Sequence, residues 1–179
     1  GRKNRLFIRF QVMISAANNI FFTLAVLGQV GIAILIIARL AKKNLPFIRN
    51  RVLLLSFLVA LAAVLGSLFY SEVAGYPPCE LCWYQRIFMF PQVFILGLAL
   101  IKKDIAVIPY VKTLSIVGAL VAGYQSLLQM NLVPSLLCSA TTPSCAQRFV
   151  MGFGYITLPV MSLTAFLLLI LILSFRENK

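Results

Sequence analysis

Residues 77–86 read PPCELCWYQR, and this short stretch separates two long apolar segments. Its two prolines cannot continue the first segment as a helix, but proline is well suited to the first turn of a new one. Cys79 and Cys82 then fall in or next to the first turn of the second segment. The stretch therefore predicts a turn between two helices, with a C-x-x-C pair at a helix N-terminus.

Long apolar segments make up most of the 179-residue chain. Hydrophobic residues account for 61% of it and charged residues for 11%, whereas a soluble domain carries about 25% charged residues. About 20 apolar residues span a bilayer as a helix. The segments that meet this requirement are 20–38, 52–70, 83–101, 110–130 and 155–175. The composition predicts an all-α integral membrane protein.

The formal net charge of +12 is distributed as in a membrane protein. Basic residues lie in short clusters beside the apolar segments, notably at 39–51 and 102–104. Lys and Arg mark the cytoplasmic loops of membrane proteins, so we expect no nucleic-acid partner. With these clusters in the cytoplasm, residues 71–82 and 131–154 both lie outside it.

The N-terminal residues conflict with this assignment. GRKNRLFIRF (1–10) is strongly basic, yet five spans place it outside. Either the first segment departs from the positive-inside rule, or residues 1–38 are re-entrant or interfacial, or an upstream span precedes them. We favour five spans. Because the chain opens with Gly rather than Met, we also expect a processed or partial form of a longer protein.

The chain has two cysteine pairs, Cys79 with Cys82 and Cys138 with Cys145, one on each predicted outer loop. Outside the cytoplasm such thiols are commonly oxidised. Three interpretations are open: two structural disulfides, a zinc site, or dithiol–disulfide exchange. The C-x₆-C spacing of the second pair is unusual for zinc. With no histidine and four acidic residues, ion transport through buried ionisable groups is poorly supported.

The surroundings of the first pair favour exchange. A helix N-terminus stabilises a thiolate. Arg86 lies four residues after Cys82 and therefore on the same helical face, where its charge would stabilise a thiolate or a bound acceptor. Alone, Arg86 is equally typical of an interfacial anchor, and Trp83 and Tyr84 of an aromatic belt. The combination is what indicates a redox site.

The second pair closes a short loop across SATTPS (139–144), in which Pro143 suits a turn. A disulfide that closes so few residues contributes only about 2–3 kcal/mol in the chain-entropy account. We interpret it as an exchangeable disulfide. The preceding segment, VPSLL (133–137), suits either the membrane surface or an extension of the packing of the fourth apolar segment.

Several stretches together resemble the DsbB/BdbC family of disulfide-bond formation proteins, most closely its short-loop, BdbC-like branch. They are SLFYSEVAGYPPCELCWYQRIFMFP (67–91), YQSLLQ (124–129), the pair Cys138 and Cys145, and GFGYITLPVMSLTAF (152–166). The resemblance covers residues 52–175 and implies a four-helix transmembrane bundle in a domain at 52–179. It leaves residues 1–51 as an additional N-terminal basic segment, hydrophobic helix and basic cytoplasmic loop.

The resemblance also implies a function. Proteins of this family lie in the bacterial cell membrane, re-oxidise a DsbA-like thioredoxin-fold partner outside the cytoplasm, and pass the electrons to ubiquinone or menaquinone without a metal. Cys79 and Cys82 match the pair next to the quinone, with Cys82 as the thiolate that contacts it and Arg86 as its support. Cys138 matches the cysteine that forms the mixed disulfide with the partner, and Cys145 the one that passes electrons to Cys79.

Two other functions remain as alternatives. A vitamin-K-epoxide-reductase-like enzyme also joins a C-x-x-C pair to a quinone, but its second cysteine pair precedes the C-x-x-C pair, whereas here it follows. A non-enzymatic scaffold with two structural disulfides predicts cysteines that never turn over and an arginine at position 86 that is dispensable.

Overall fold

The computed structural model describes residues 2–41, 46–134, 138 and 144–177. Over these ranges the chain folds into helices α1 (Arg2–Leu40), α2 (Pro46–Asn50), α3 (Val52–Leu68), α4 (Glu80–Lys102), α5 (Ile108–Gln129) and α6 (Leu158–Glu177). Five helices among the described residues are long and apolar enough to cross a membrane. The predicted all-α fold is confirmed. Residues 42–45 of the predicted basic loop lie outside the described residues.

Four of the helices form a ring. α3 packs on α4, α4 on α5, α5 on α6, and α6 returns to α3. Leu96, Val111 and Phe166 are fully buried between them. A small residue permits close packing of α5 on α6, since a Cβ added to Gly118 of α5 would collide with the ring of Phe166 in α6. The predicted four-helix bundle is therefore observed.

The N-terminal helix α1 lies outside this ring and packs on α6. Phe22 lies against Gly152, which precedes α6, and the later residue Gly28 lies against Thr164 and Leu168 within α6. The two helices therefore run in the same direction. α1 begins at Arg2 rather than near residue 20. The physical reason is that no proline or glycine interrupts residues 2–27, and such residues are what usually end a helix.

The cysteine pairs lie at the end of the bundle opposite Arg51 and Lys102. α3 continues through a π-helical turn at Phe69–Val73, and Gly75 takes a positive φ of 73° that lets the chain reverse into α4. This end also holds the C-terminus of α5 and the start of α6. The opposite end holds Arg51 at the start of α3 and Lys102 at the end of α4.

Candidate functional site

The C-x-x-C pair lies at the N-terminus of α4, as the two prolines predict. Cys79 is the N-cap residue with an extended backbone, and Cys82 lies in the first turn of the helix. The two Sγ atoms are 2.7 Å apart, and both cysteines are free thiols. Because the S–S bond of a disulfide is about 2.0 Å long, sulfurs this close can be joined with only a small movement.

The helix N-terminus makes the two sulfurs inequivalent. The unpaired N–H groups of the first turn of α4 give this end a partial positive charge that favours a thiolate. Cys79 is buried, with 4% of its surface exposed. Its hydrogen bond with Cys82, together with burial, raises the pKa of the Cys79 thiol. These two effects favour the protonated form of Cys79.

Gln125 of α5 reaches the pair from across the bundle. Its Nε2 lies 3.1 Å from Cys79 Sγ and 3.5 Å from Cys82 Sγ. Its Oε1 accepts a 2.5 Å hydrogen bond from Nε2 of Gln85. Since the carbonyl oxygen is already occupied, the amide nitrogen is directed at the sulfurs. Gln125 was not predicted to have a role. The feature of the sequence that could have indicated one is a polar side chain at membrane depth in an apolar helix.

Arg86 is fixed by contacts on both sides. Its Nε donates to Ser67 Oγ and its Nη2 to the Ser67 carbonyl oxygen, each at 3.0 Å. The guanidinium also lies 5.3 Å from the centroid of the Trp83 ring and 5.9 Å from that of Phe90, within the range of a cation–π contact. Ser67 of α3 is a second residue to which the sequence analysis gave no role.

Cys82 and Arg86 line one cavity, which confirms that they share a helical face. The cavity has a volume of about 380 Å³ and is walled by α1, α3, α4 and α6, with Gln125 from α5. Most of its lining is apolar, as in sites that hold small organic molecules. Tyr70 also lines it, and the buried hydroxyl of this tyrosine has no hydrogen-bond partner among the described residues.

The second cysteine pair lies beside the first. Cys138 and Cys145 form a disulfide. Cys145 is buried in one cluster with Cys79, and both Cys82 and Cys138 pack against that cluster. Across the described part of the chain, no group of three His, Cys, Asp or Glu side chains is arranged to hold a metal ion. The turn predicted at Pro143, and residues 135–137 of the segment predicted on the membrane surface, fall outside the described residues.

Contacts from residues 144–150 hold the second pair in this place. Gln129 at the end of α5 donates from Nε2 to the Gln147 carbonyl oxygen at 3.1 Å, and Arg148 donates to the Gln129 carbonyl oxygen. The ring of Phe149 stacks on that of Tyr76, with centroids 5.3 Å apart. A second, small cavity of about 20 Å³ lies between this segment and the C-x-x-C pair.

A helical membrane bundle that gathers a free C-x-x-C pair and a disulfide at one end defines a membrane disulfide oxidoreductase. The family described as disulfide bond formation protein DsbB matches residues 49–175, and the chain belongs to this family. It is 43% identical over 126 residues to the SPbeta prophage-derived disulfide bond formation protein B of Bacillus subtilis, covering 70% of this chain and 84% of that protein.

A second relative is the disulfide bond formation protein C of Bacillus subtilis. It is 42% identical over 137 residues, which are 73% of this chain and 97% of the relative. No solved structure matches the chain. The family match begins within α2, so the whole of α1 lies outside it.

Proposed function

We propose that this protein re-oxidises a DsbA-like thioredoxin-fold partner on the extracytoplasmic side of the membrane and passes the electrons to a membrane quinone. One observation carries the proposal: all four cysteines meet at one end of the bundle, and Cys82 alone among them lines the large apolar cavity. A structural pair of disulfides needs neither the free C-x-x-C pair nor the cavity beside it.

The first exchange takes place at the Cys138–Cys145 disulfide. A thiolate of the reduced partner attacks Cys138 Sγ, the bond between Cys138 and Cys145 breaks, and Cys145 leaves as a thiolate. The partner's second thiolate then attacks the partner sulfur of the mixed disulfide, which forms the partner's disulfide and releases Cys138. Two electrons and two protons have then moved to the loop pair. Cys138 suits the first step because it is partly exposed, whereas Cys145 is buried.

The second exchange takes place between the two pairs and needs Cys79 and Cys82 in the disulfide form. Cys145 attacks Cys79 Sγ, and Cys82 leaves as a thiolate. Cys138 then attacks Cys145, so the loop disulfide forms again and Cys79 is released as a thiol. The burial of Cys145 and Cys79 in one cluster supports this order. The product is the reduced C-x-x-C pair, with the thiolate of Cys82 next to the cavity.

The residues of the cavity fit a quinone. Its volume lies within the range of about 300–1,000 Å³ that is usual for small-molecule sites. A quinone is a flat apolar ring with two carbonyl acceptors, which match the unpartnered hydroxyl of Tyr70 and the cation of Arg86. A bound quinone would supply a two-electron, two-proton acceptor. The protein's own residues keep Cys82 ionised, hold Arg86 in place and exclude water with apolar walls.

The basic residues at the ends of α3 and α4 support the assignment of sides, whereas the basic start of α1, which runs in the same direction as α6, opposes it. Arg51 and Lys102 lie at the end of the bundle opposite the cysteines. Because basic residues favour the cytoplasmic side, the cysteine end faces away from the cytoplasm, where newly exported proteins acquire their disulfides.

The test mixes the purified protein, a reduced DsbA-like protein and decylubiquinone, and follows quinone reduction by absorbance. We expect turnover that is lost in Cys82→Ser and in Cys138→Ser. Leu98→Ala is the matched control, because this side chain is on the same helix as Cys82 but 60% exposed. Full activity in Cys82→Ser would refute the proposal, and so would loss of activity in all three variants alike.

A further inference from the structure

The helix that the family match leaves out also lines the cavity. Phe21, Leu24 and Ala25 of α1 form part of its lining, and their spacing of three and four residues places them on one face of the helix. We refer to these three side chains as the α1 wall. A cavity built from the matched region alone would lack this side.

Small residues hold the α1 wall close to the bundle. A Cβ added to Gly28 would lie 2.9 Å from Thr164 Cγ2, and one added to Gly31 would lie 3.7 Å from Leu168 Cδ2. Glycine at position 28 therefore lets α1 approach α6 closely, whereas position 31 would accommodate a Cβ in ordinary contact. Beyond the α1 wall, Tyr155 donates a 2.6 Å hydrogen bond to Gln29 Oε1. The position of α1 is thus set by packing and by a polar contact.

Phe21 joins the α1 wall to the polar part of the cavity. Its ring centroid lies 5.4 Å from that of Tyr70 and 5.6 Å from that of Phe69, both on the π-helical turn after α3. A Cβ added to Gly66 would lie only 3.1 Å from Phe21 Cε1. Phe21 therefore packs on Tyr70 and contributes to its burial, which leaves that tyrosine 4% exposed.

We propose that α1 is a component of the acceptor site, and that the α1 wall sets how tightly the cavity holds a quinone. This inference rests on the proposed function. Lipid tails are as apolar as the side chains of the wall, so the wall adds no hydrophobic driving force of its own. Its contribution is shape: it excludes lipid chains from the cavity and surrounds the apolar ring with a fixed surface, which slows dissociation.

The experiment measures quinone binding directly, because Trp83 is the single tryptophan of the chain. Quenching of its fluorescence by decylubiquinone gives a Kd without turnover. The cavity-enlarging variant is Phe21→Ala with Leu24→Ala, and the cavity-filling variant is Ala25→Leu. Leu27→Ala is the matched control, since this side chain of α1 is 61% exposed. All four proteins also undergo a single exchange with the reduced partner, in the absence of quinone.

We expect Kd to rise about tenfold in both wall variants, equivalent to about 1.4 kcal/mol. We expect the control to bind like the unchanged protein, and the quinone-free exchange to stay the same in all four. The filling variant removes no side chain from α1, and an unchanged quinone-free exchange shows that each variant is folded, so a fault in folding would not explain a higher Kd. Unchanged Kd in both wall variants, with normal binding by the unchanged protein, would overturn this inference alone. Absence of any quinone binding by the unchanged protein would overturn the proposed function as well.

Discussion

Gln125 holds Cys79 from a different helix, with its amide nitrogen 3.1 Å from the sulfur. The hydrogen bond joins residues 46 positions apart in the chain. It ties the start of α4 to the outer half of α5, so the geometry of the C-x-x-C pair depends on how these two helices pack. An amide donor at this place can stabilise negative charge on either sulfur.

Replacing Gln125 by Leu should make Cys82 less reactive, because the amide donor to the sulfurs is lost. We expect the rate of alkylation of Cys82 by a small maleimide to fall by about five- to tenfold, as for loss of one hydrogen bond of about 1–1.5 kcal/mol. The matched control is Gln92→Leu. Gln92 is also a buried glutamine, but its Oε1 accepts from Ser115, at 3.0 Å. Equal losses in the two variants would show that Gln125 has only a structural role.

Arg86 should matter for the quinone step but not for exchange with the partner. Arg86→Ala removes the charge beside the cavity, and we expect quinone reduction to slow about ten- to a hundredfold, as for loss of hydrogen bonds to a charged group. Arg86→Lys should recover only part of the rate, since a lysine cannot bridge both oxygens of Ser67 and stack on Trp83. The check is steady-state quinone reduction beside mixed-disulfide formation with the partner. Arg51→Ala, at the other end of the bundle, should leave both rates unchanged.

Tyr70→Phe should change the affinity for quinone without lowering the stability of the protein. The hydroxyl of Tyr70 has no hydrogen-bond partner in the part of the chain that the structure describes, so its removal should leave the thermal unfolding temperature unchanged or higher. If this hydroxyl donates to the acceptor, Kd for decylubiquinone should rise about two- to tenfold, the range expected for one neutral hydrogen bond. Tyr84→Phe is the control, because Tyr84 is 51% exposed. Stable protein with unchanged Kd would exclude Tyr70 as a donor.

The order of electron transfer can be read from trapped disulfides. A partner that keeps only its attacking cysteine should form a stable mixed disulfide, and peptide mapping should find it on Cys138 because Cys145 is buried. In Cys82→Ser with Cys138→Ser, mild oxidation should join Cys79 to Cys145, which lie in one cluster. The complementary variant, Cys79→Ser with Cys145→Ser, retains Cys82 and Cys138 and should form a disulfide between them more slowly. A mixed disulfide on Cys145 would contradict the proposed order.

Gly118→Ala should destabilise the bundle. Its new methyl group would collide with Phe166 of α6, and overpacking of this kind costs about 1–3 kcal/mol. Gly123→Ala on the same helix is the matched control, because nothing lies within 4 Å of the added Cβ. Thermal unfolding in detergent should give a clearly lower midpoint for the first variant than for the second. Equal midpoints would mean that α5 and α6 can separate at little cost.

Local rules were enough to predict much of the site. Hydropathy over about 20 residues located the spanning helices, since this property depends on composition alone. Two prolines before Cys79 placed the pair at a helix start, and a spacing of four residues placed Arg86 on the side of Cys82. Each of these relationships is confined to one element or one turn of the chain.

The site residues that were not predicted depend on packing between helices that are distant in sequence. Gln125 and Ser67 meet the site only because α5 and α3 pack on α4 at one particular rotation. Likewise, the apolar pattern of α1 predicts a helix but does not say which neighbour it covers. In the sequence, Phe21 cannot be told apart from an aromatic residue that faces lipid. Only the structure shows that it contacts Gly66 and Tyr70.

The burial of Cys79 and Cys145 also affects which reductants can reach the cysteines. With 4% and 2% of their surfaces exposed, these sulfurs are shielded from small soluble thiols, which need direct access to attack. In the proposed pathway, reducing equivalents from the partner enter at Cys138, and Cys82 faces the cavity. Burial of Cys79 and Cys145 thus keeps small reductants in the medium from reducing these two sulfurs, and so from consuming the membrane quinone in place of the partner.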